Sequence, residues 1–547
     1  MKYIFSFLMA LTGIAACGQS LSEAMEKKIG VIFEQYDNKT APGCAVLIVK
    51  EGRIVFSKGY GMANLEDGVP VTPATVFDIA SVSKQFTGYA ISTLIGEGRI
   101  SANDEIHKYL PDVPQFASPV TIRNLIHHTS GLRDWPATLH AAGWRWDESF
   151  RYEDILRMVG QQKDLDFPAG TEYQYSNTGY NLLAAIVAKV SGETFPVWIS
   201  EHIFQPLGMK DSRVLVDPSE VIPHLACSYR REGESYHKST DQLTAWGSSS
   251  IFTTVEDLAK WVSFFQRGLD SKDPVILRMV ETDTLTNGQP VGYGYGLEVS
   301  NDKGMRNISH TGGWASFATI ISNYPDAHLS IILLSNSGGF DPGDKAGKVA
   351  AILLNRGEAA GPVQEDLGKR PTVPVDSQLL KKYLGVYQLG PNWFVRFTLE
   401  NGNMMAQANG EGKFWADMKS DSVLWVPGYG STVTFLDVRD RANAIRYHGK
   451  VAPRVEPLDT NGRVLSDYSG TYYSPELEVT YVLSVRSGKL MMHHMRLGDG
   501  DIDPDIVTRD AFSSPVGIMR FTRDGRGVVN GFSLSAGRPR NIRFEKQ

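Results

Sequence analysis

The stretch Phe77-Asp-Ile-Ala-Ser-Val-Ser-Lys-Gln-Phe-Thr87 is the part of the sequence from which the fold can be worked out. Apolar residues recur at helical spacing over residues 83–96, and Gly98 follows as a stop signal. These apolar residues are Phe86, Ile91, Leu94 and Ile95. The pattern predicts a helix that begins just after Ser81, and a similar pattern predicts a second helix over residues 255–265.

Segments typical of β-strands lie on both sides of these helices. Residues 44–49 and 53–56 flank the turn dipeptide Glu51-Gly52, which predicts an antiparallel hairpin. Further strands are predicted over residues 292–297, 317–323 and 328–334. Strands at both ends of a region with helices between them indicate an α+β domain, which we place at residues 25–360.

The length of the chain predicts further domains, because 547 residues exceed the roughly 250–300 that a single hydrophobic core supports. Three prolines interrupt a polar stretch at residues 361–376, which predicts a linker. Beyond it, Tyr383-Leu-Gly-Val-Tyr387 recurs as Tyr468-Ser-Gly-Thr-Tyr472. Each copy opens a run of short β-like segments, so we expect two small β-barrels, at residues 377–460 and 463–547.

Charge and cysteine content exclude several classes of function. The formal net charge of −6 supplies no positive field for a phosphate backbone, so a nucleic-acid partner is not expected. The 3 cysteines form no Cys-x-x-Cys pair, which argues against a disulfide framework or a thiolate zinc site. We therefore expect no metal and no cofactor.

The N-terminal segment predicts export. Lys2 is followed by an apolar run over residues 3–16, which has the length of a signal peptide and is too short to span a bilayer. The run ends in Ile14-Ala-Ala-Cys17, which resembles the lipobox of bacterial lipoproteins, and Gly18 follows. We expect residues 1–17 to be a signal peptide and Cys17 to be lipidated, in the periplasm or outer membrane. Ordinary signal cleavage with loss of Cys17 is the alternative.

Candidate chemistry begins with Ser81 and Lys84. Gly-x-Ser-x-Gly, His-Glu-x-x-His and P-loop motifs are missing from the sequence, which argues against α/β-hydrolases, zincins and nucleotide hydrolases. A spacing of three on a helix lets the Lys84 amine reach the Ser81 hydroxyl, and a serine needs such a base to become a nucleophile. Ser300-Asn-Asp-Lys303 has the same spacing but lies among turn residues, where we expect a hairpin tip.

Two further motifs distinguish the Ser81–Lys84 pair from a chance pattern. Tyr175-Ser-Asn177 follows about ninety residues later, and His310-Thr-Gly312 precedes a β-rich segment. In this combination the sequence resembles the serine β-lactamase and penicillin-binding-protein superfamily. The similarity is to its class C β-lactamase-like branch, which includes D-aminopeptidases, D-alanyl-D-alanine carboxypeptidases and esterases. Stretches such as Leu125-Ile-His-His-Thr-Ser-Gly-Leu132 also match in order.

The resemblance implies a fold and a set of roles. The fold is a transpeptidase-like antiparallel sheet flanked by helices with a helical subdomain, followed by two lipocalin-like barrels. Ser81 is implied as nucleophile, Lys84 as its base and Tyr175 as a second base, with the Asn177 amide holding Lys84 or the substrate. The oxyanion would lie between the backbone N–H groups of Ser81 and Gly313, the residue after His310, Thr311 and Gly312.

One departure from the family pattern narrows the function. Most members that react with β-lactams have lysine where this chain has His310, and that lysine supplies a cation for the substrate carboxylate. Histidine is mostly neutral at pH 7, which argues against a dedicated β-lactamase. The sequence therefore predicts an exported serine hydrolase that cleaves short or D-amino-acid-containing peptides. Alternatives are an esterase, a β-lactamase, or a non-catalytic cell-envelope binding module.

If Cys17 carries a lipid, the protein should partition into the detergent phase, because each buried CH₂ of an acyl chain contributes about 0.8 kcal/mol. Cys17→Ser should move to the aqueous phase, as detected by immunoblotting after Triton X-114 extraction. A wild-type protein that stays aqueous and whose N-terminus lies beyond residue 17 would contradict lipidation.

Overall fold

The computed structural model describes residues 21–239, 242–355, 377–390, 393–408, 413–426, 431–456, 464–505 and 508–547. The predicted signal segment with Cys17, and the linker predicted at residues 361–376, lie outside these residues. The described chain divides into two compact units. The first contains the described residues up to Ile100, Val187–Asp283, and those from Gly292 to residue 355. The second contains Ser101–Ile186, Thr284–Val291 and the described residues from 377 onward.

The described residues form the following helices, numbered in chain order. They are α1 (Glu23–Phe33), α2 (Lys84–Gly96), α3 (Ile122–Ile126), α4 (Trp135–Ala141), α5 (Tyr152–Gln161), α6 (Asn177–Ser191), α7 (Phe195–Ile199), α8 (Gln205–Leu207), α9 (Val255–Ser271), α10 (Pro274–Met279), α11 (Pro342–Leu353) and α12 (Ser377–Tyr383). A 3₁₀ turn, Ala80–Ser83, leads directly into α2.

The strands before residue 336 include the main sheet and several short pairs. They are β1 (Cys44–Lys50), β2 (Arg53–Tyr60), β3 (Met62–Asn64), β4 (Val69–Pro70), β5 (Phe77–Asp78), β6 (Arg213–Val214), β7 (Tyr229–Glu232), β8 (Ser235–Lys238), β9 (Ile251–Thr253), β10 (Asp283–Thr284), β11 (Pro290–Val291), β12 (Glu298–Asp302), β13 (Met305–Trp314), β14 (Phe317–Tyr324) and β15 (Leu329–Ser335).

The strands after residue 384 form two closed barrels. The first contains β16 (Gly385–Gly390), β17 (Trp393–Glu400), β18 (Asn403–Ala408), β19 (Phe414–Met418), β20 (Val423–Val426), β21 (Ser431–Leu436), β22 (Ala444–Tyr447) and β23 (Lys450–Val455). The second contains β24 (Gly470–Ser474), β25 (Val479–Arg486), β26 (Lys489–His494), β27 (Gly498–Pro504), β28 (Ala511–Ser514), β29 (Gly517–Arg523), β30 (Val529–Ser535) and β31 (Ile542–Lys546).

The first unit is built around a six-stranded antiparallel sheet with the strand order β12-β13-β14-β15-β1-β2. The N-terminal hairpin therefore joins the strands that close the unit, which confirms the predicted α+β class. Residues 44–49 are all buried, as expected of a central strand covered on both faces. Ile29 of α1 and Val349 of α11 pack with Val46 in the core on one of these faces.

The strand predicted over residues 292–297 is wrong. This segment makes only an isolated bridge, between Tyr293 and Glu298. Its glycines serve close packing instead: a Cβ on Gly294 would lie 2.4 Å from the Met279 carbonyl oxygen. Gly296 has φ +76°, a left-handed conformation that side chains other than glycine rarely adopt. The aromatic and aliphatic residues between the glycines imitate a strand pattern, but the backbone cannot continue one.

Helix α2 lies unusually close to this glycine-rich segment. A Cβ on Gly88 would lie 2.1 Å from the Tyr295 carbonyl oxygen, and one on Gly296 would lie 2.3 Å from the Lys84 carbonyl carbon. Glycine at both positions is what allows the two backbones to approach. The position of α2, and with it the position of Lys84, is therefore set by backbone contact.

The two barrels begin with the same local structure, which explains the sequence repeat. In the first barrel the Tyr387 hydroxyl donates to the Tyr383 carbonyl at 2.9 Å, and in the second the Tyr472 hydroxyl donates to the Tyr468 carbonyl at 2.8 Å. Each closed barrel has its own apolar core. The repeated tyrosines thus fasten the first strand of each barrel to the helical segment that precedes it, which is α12 in the first barrel and the 3₁₀ helix Leu465–Tyr468 in the second.

Within the described residues, no single helix has the length and apolar composition needed to cross a membrane, although α6 and the segment Phe195–Leu207 would pass that test together as a pair bent by 82°.

We expect Gly88→Ala to lower stability by about 1–3 kcal/mol, the usual cost of overpacking, although alanine favours helices. The matched control is Gly347→Ala, because Gly347 is exposed in α11 and a Cβ there meets nothing within 4 Å. That control should gain about 0.5–1 kcal/mol. Thermal unfolding midpoints would test the pair. Equal shifts in the two variants would show that α2 can move away from Tyr295.

Candidate active site

Ser81 and Lys84 meet where the 3₁₀ turn joins α2. Residues three apart eclipse each other in a 3₁₀ turn, so the lysine side chain lies over the serine. The distance from Lys84 Nζ to Ser81 Oγ is 3.0 Å. Lys84 is fully buried, whereas Ser81 is partly exposed. The arrangement gives a hydroxyl that a small molecule can reach, beside an amine that bulk water does not reach.

The turn that carries Ser81 holds a strained backbone. Ala80 has φ +47°, a conformation that costs a non-glycine residue energy and persists only where the surroundings impose it. Asp78 Oδ1 accepts a 2.7 Å hydrogen bond from the Ala80 amide. Thr319 Oγ1 of β14 donates to the Ile79 carbonyl at 2.9 Å. These contacts fix the turn to the sheet and so fix the direction of Ser81.

Lys84 has a second hydrogen-bond acceptor besides Ser81 Oγ, and this acceptor orients its side chain. Lys84 Nζ donates to the Ser248 carbonyl at 2.8 Å, and Thr87 Oγ1 of the same helix donates to the Gly247 carbonyl at 2.8 Å. Sequence reasoning gave Ser248 no role. A backbone carbonyl leaves no signature in residue identity, so only the structure reveals this contact.

Strand β13 passes directly beside Ser81, the predicted nucleophile. A Cβ on Gly312 would lie 3.2 Å from the Ser81 amide nitrogen and 2.3 Å from the Ile79 carbonyl oxygen, so only glycine fits there. The pairing of β13 with β12 ends at Ser309, whereas its pairing with β14 continues to Trp314. Gly313 is exposed, with open space over its Cα. The predicted oxyanion residues, Ser81 and Gly313, are therefore carried by adjacent backbone segments of the first unit.

His310 faces the interior of the first unit. Its Nδ1 lies 2.5 Å from the Thr311 carbonyl, which can only accept, so Nδ1 carries the proton. Its Nε2 then accepts from the Tyr293 hydroxyl at 2.8 Å. Burial, followed by the nearby charge of Lys84, lowers the pKa of His310 to about 3. The imidazole is therefore neutral at physiological pH and supplies no cation at this position.

Tyr175 and Asn177 belong to the second unit. Asn177 is the first residue of α6, and both its backbone N and its side-chain Nδ2 donate to the Asp134 carboxylate, at 2.8 and 3.4 Å. The ring of His128 lies 4.3 Å from that of Tyr175, measured between centroids. Arg538 lies over the same tyrosine ring, with its Cζ 5.1 Å from the centroid.

The predicted site residues thus fall into two groups. Ser81, Lys84 and the segment His310–Gly313 are brought together in the first unit, whereas Tyr175 and Asn177 form a cluster with Asp134 in the second. Sequence reasoning missed Asp134 and Arg538, because neither lies in a motif. Within the described residues, no group of three or more His, Cys, Asp or Glu side chains is placed to hold a metal ion.

Comparison with known proteins shows what the chain is similar to. The chain matches the Beta-lactamase family over residues 24–355. It is 28% identical over 415 residues to a penicillin-binding protein of Bacillus subtilis strain 168, covering 72% of this chain and 89% of that protein. It is 25% identical over 528 residues to the D-aminopeptidase of Brucella ovis, covering 93% and 96% of the two chains.

A solved structure of similar fold is the octameric penicillin-binding protein homologue from Pyrococcus abyssi. It has a TM-score of 0.56 and 20% sequence identity, and the superposition covers 86% of this chain and 98% of that one. This similarity concerns the fold alone.

The buried state of His310 predicts a pH dependence of stability. His310 takes up a proton near pH 6.5 in the unfolded chain but only near pH 3 in the folded protein. The stability that the neutral imidazole contributes is therefore fully present above pH 6.5 and is lost as the pH falls below that value. His310→Gln keeps an acceptor for Tyr293 but does not titrate. Between pH 7 and 5 the wild type should lose about 2 kcal/mol more than this variant. Urea unfolding at both pH values would measure this, and equal losses would contradict a buried neutral imidazole.

Proposed function

This chain belongs to the Beta-lactamase family, and from that membership we propose that it cleaves short or D-amino-acid-containing peptides through an acyl-enzyme on Ser81. The chain is a serine hydrolase of the β-lactamase fold. The observation that carries the proposed chemistry is the 3.0 Å contact between the partly exposed Ser81 hydroxyl and the buried Lys84 amine. The similarity to a D-aminopeptidase over nearly the whole chain supports the substrate class.

The proposed reaction has two halves, acylation and deacylation, and each catalytic group acts once in each of them. Lys84 takes the proton of Ser81 as Oγ attacks the scissile carbonyl, and the oxyanion that forms accepts hydrogen bonds from the Ser81 and Gly313 amides. Tyr175 passes a proton to the leaving amine, which departs and leaves the acyl group on Oγ. Water then attacks the ester with the same groups acting in reverse. Preorganised amides of this kind contribute several kcal/mol to lowering the barrier.

The state of His310 argues against a dedicated β-lactamase. A β-lactam presents a carboxylate, and the neutral, buried imidazole offers it no charge. The same acyl-enzyme chemistry also hydrolyses esters, so we expect some esterase activity with activated acyl groups. The intact contact between Ser81 and Lys84 argues against a non-catalytic binding module.

We further propose that the enzyme acts outside the cytoplasm. The apolar segment ahead of Cys17 supports export, and the resemblance of Ile14-Ala-Ala-Cys17 to a lipobox supports a lipid anchor as its contact with the membrane.

A fluorophosphonate probe should label the wild type at Ser81 and fail to label Ser81→Ala. Lys84→Met should slow labelling by at least about 100-fold, because methionine matches the apolar stem and lacks the amine that accepts the proton. Intact-protein mass spectrometry with peptide mapping would measure both. The control is Lys303→Met, since Lys303 lies in the turn between β12 and β13 and should label at the wild-type rate.

The substrate class is tested by comparing D-aminoacyl amides, D-Ala-D-Ala peptides, nitrophenyl esters and nitrocefin. We expect turnover of D-peptides or D-aminoacyl amides that disappears in Ser81→Ala, with slow hydrolysis of nitrocefin. Efficient nitrocefin hydrolysis would favour a β-lactamase, and labelling at Ser300 would refute the assigned nucleophile.

A further inference from the structure

The turn between β13 and β14 holds a strained backbone. It consists of two residues, Ala315 and Ser316, because Trp314 pairs with Phe317 across it. Ala315 has φ +42° and Ser316 has φ +67°. Hairpin turns with positive φ at both residues favour asparagine and glycine, whereas the Cβ of other residues raises the energy of this conformation. The local sequence therefore does not account for the turn, and the residues around it must impose its shape.

Two serines of the first unit contact both turn residues. Ser228 lies just before β7 and Ser239 just after β8, and we call them the serine pair. The Ser228 hydroxyl donates to the Ala315 carbonyl, and Ser239 Oγ shares a 2.6 Å hydrogen bond with Ser316 Oγ. The Ser239 amide also donates to the Ser228 carbonyl at 2.9 Å. The serine pair thus holds the strained turn through two contacts that are themselves linked.

The backbone around Ser228 is anchored independently of its side chain. Asn336 is fully buried, and its Nδ2 donates to the Cys227 carbonyl at 2.7 Å. The Tyr229 amide donates to the Asn336 carbonyl at 2.9 Å. Asn336 Oδ1 accepts from the Gly43 amide at 2.8 Å, just before β1. The Ser228 hydroxyl can therefore be removed without releasing the segment that carries it.

The turn follows closely after Gly313, the predicted oxyanion donor. The pairing of β13 with β12 ends at Ser309, so the described pairing of Gly313 is with Ala318 of β14. The adjacent Gly312 lies against the backbone of the Ser81 turn. A shift of the β13–β14 turn therefore moves the end of β13 and changes the position of the Gly313 amide relative to the Ser81 amide.

We propose that Ser228 and Ser239 are positioning residues of the hydrolase, which keep the Gly313 amide where the oxyanion forms by holding the strained turn. This rests on the proposed function, in which the Ser81 and Gly313 amides donate to that oxygen. Such donors lower the barrier because they are in place before the charge develops. A misplacement of about 1 Å costs on the order of 100-fold in rate. The serine pair acts on the reaction through the backbone of the turn.

The test compares two esters that differ in the atom to which the amides donate. One is 4-nitrophenyl acetate, and the other is its thionoester, in which sulfur replaces the carbonyl oxygen and accepts hydrogen bonds weakly. The ratio of their kcat/KM values, after subtraction of the rate with Ser81→Ala, measures stabilisation of the oxyanion. In Ser228→Ala, kcat/KM should fall about tenfold for the oxygen ester and less than about twofold for the thionoester. Ser239→Ala should lower the ratio in the same direction.

The matched control is Ser92→Ala. Ser92 is fully buried in α2, and its hydroxyl donates to the Val275 carbonyl at 2.7 Å. Its substitution therefore removes the same kind of hydrogen bond from the same unit. This variant should lower the thermal midpoint, because a carbonyl loses its donor, and should leave the ratio of the two esters at the wild-type value.

A second substitution tests whether Ser228 acts through the turn. Asparagine tolerates positive φ better than alanine, so Ala315→Asn should lower the energy of the turn without help from the serine. Added to Ser228→Ala, it should restore most of the lost ratio. In the wild-type background, where the turn is already held, Ala315→Asn should leave the ratio unchanged.

Three outcomes would overturn the proposal. They are an unchanged ratio in Ser228→Ala, an equal fall of the ratio in Ser92→Ala, and no recovery when Ala315→Asn is added to Ser228→Ala. Failure of the proposed function is a separate result, because the wild type would then hydrolyse neither ester in a Ser81-dependent manner, and the positioning role would fall with it.

Discussion

The burial of the Lys84 amine, with Nζ 3.0 Å from Ser81 Oγ, is the constraint that the structure around it has to satisfy. A buried amine is costly unless oxygen atoms surround it, so the fold must bring polar atoms to a place that water does not reach. The Ser248 carbonyl is one of these atoms. Helix α2 must also lie close to its neighbours, which is why glycine stands at positions 88 and 296. The contact between Ser81 and Lys84 and the tight packing are thus consequences of one geometry.

The chemistry of the site follows from which groups are charged. The Nδ1–H of His310 donates to the Thr311 carbonyl, and its Nε2 accepts from the Tyr293 hydroxyl. Burial lowers the pKa of the imidazole and keeps it neutral. A family member with lysine at this position has a cation there, whereas this chain uses the same place for an internal hydrogen bond. Within the second unit, Arg538 is a half-exposed cation beside Tyr175.

The second barrel is an integral part of the second unit. Ala141 of α4 belongs to the apolar core of this barrel, and the Tyr481 hydroxyl donates to the Ala141 carbonyl at 2.5 Å. Arg133 and Glu476 form a buried ion pair at 3.0 Å. Removing one partner of such a pair is costly because the other charge stays buried. A barrel attached in this way can hold a loop in a fixed position, which a flexibly tethered domain could not do.

The sequence by itself determined the elements with local signatures. The hairpin of β1 and β2, helix α2, the strands β14 and β15 and the two barrels all follow from periodicity, turn residues and an internal repeat, because those patterns arise from neighbours along the chain. The segment at residues 292–297 failed because its alternating pattern resembles a strand while its glycines serve contacts distant in sequence. The Ser81–Lys84 pair was visible because three residues of spacing fix it. Ser248, Asp134 and Arg538 were not, because a carbonyl has no residue signature and an arginine hundreds of residues away carries no motif. Only the tertiary structure places them, since their roles depend on which distant segments pack together.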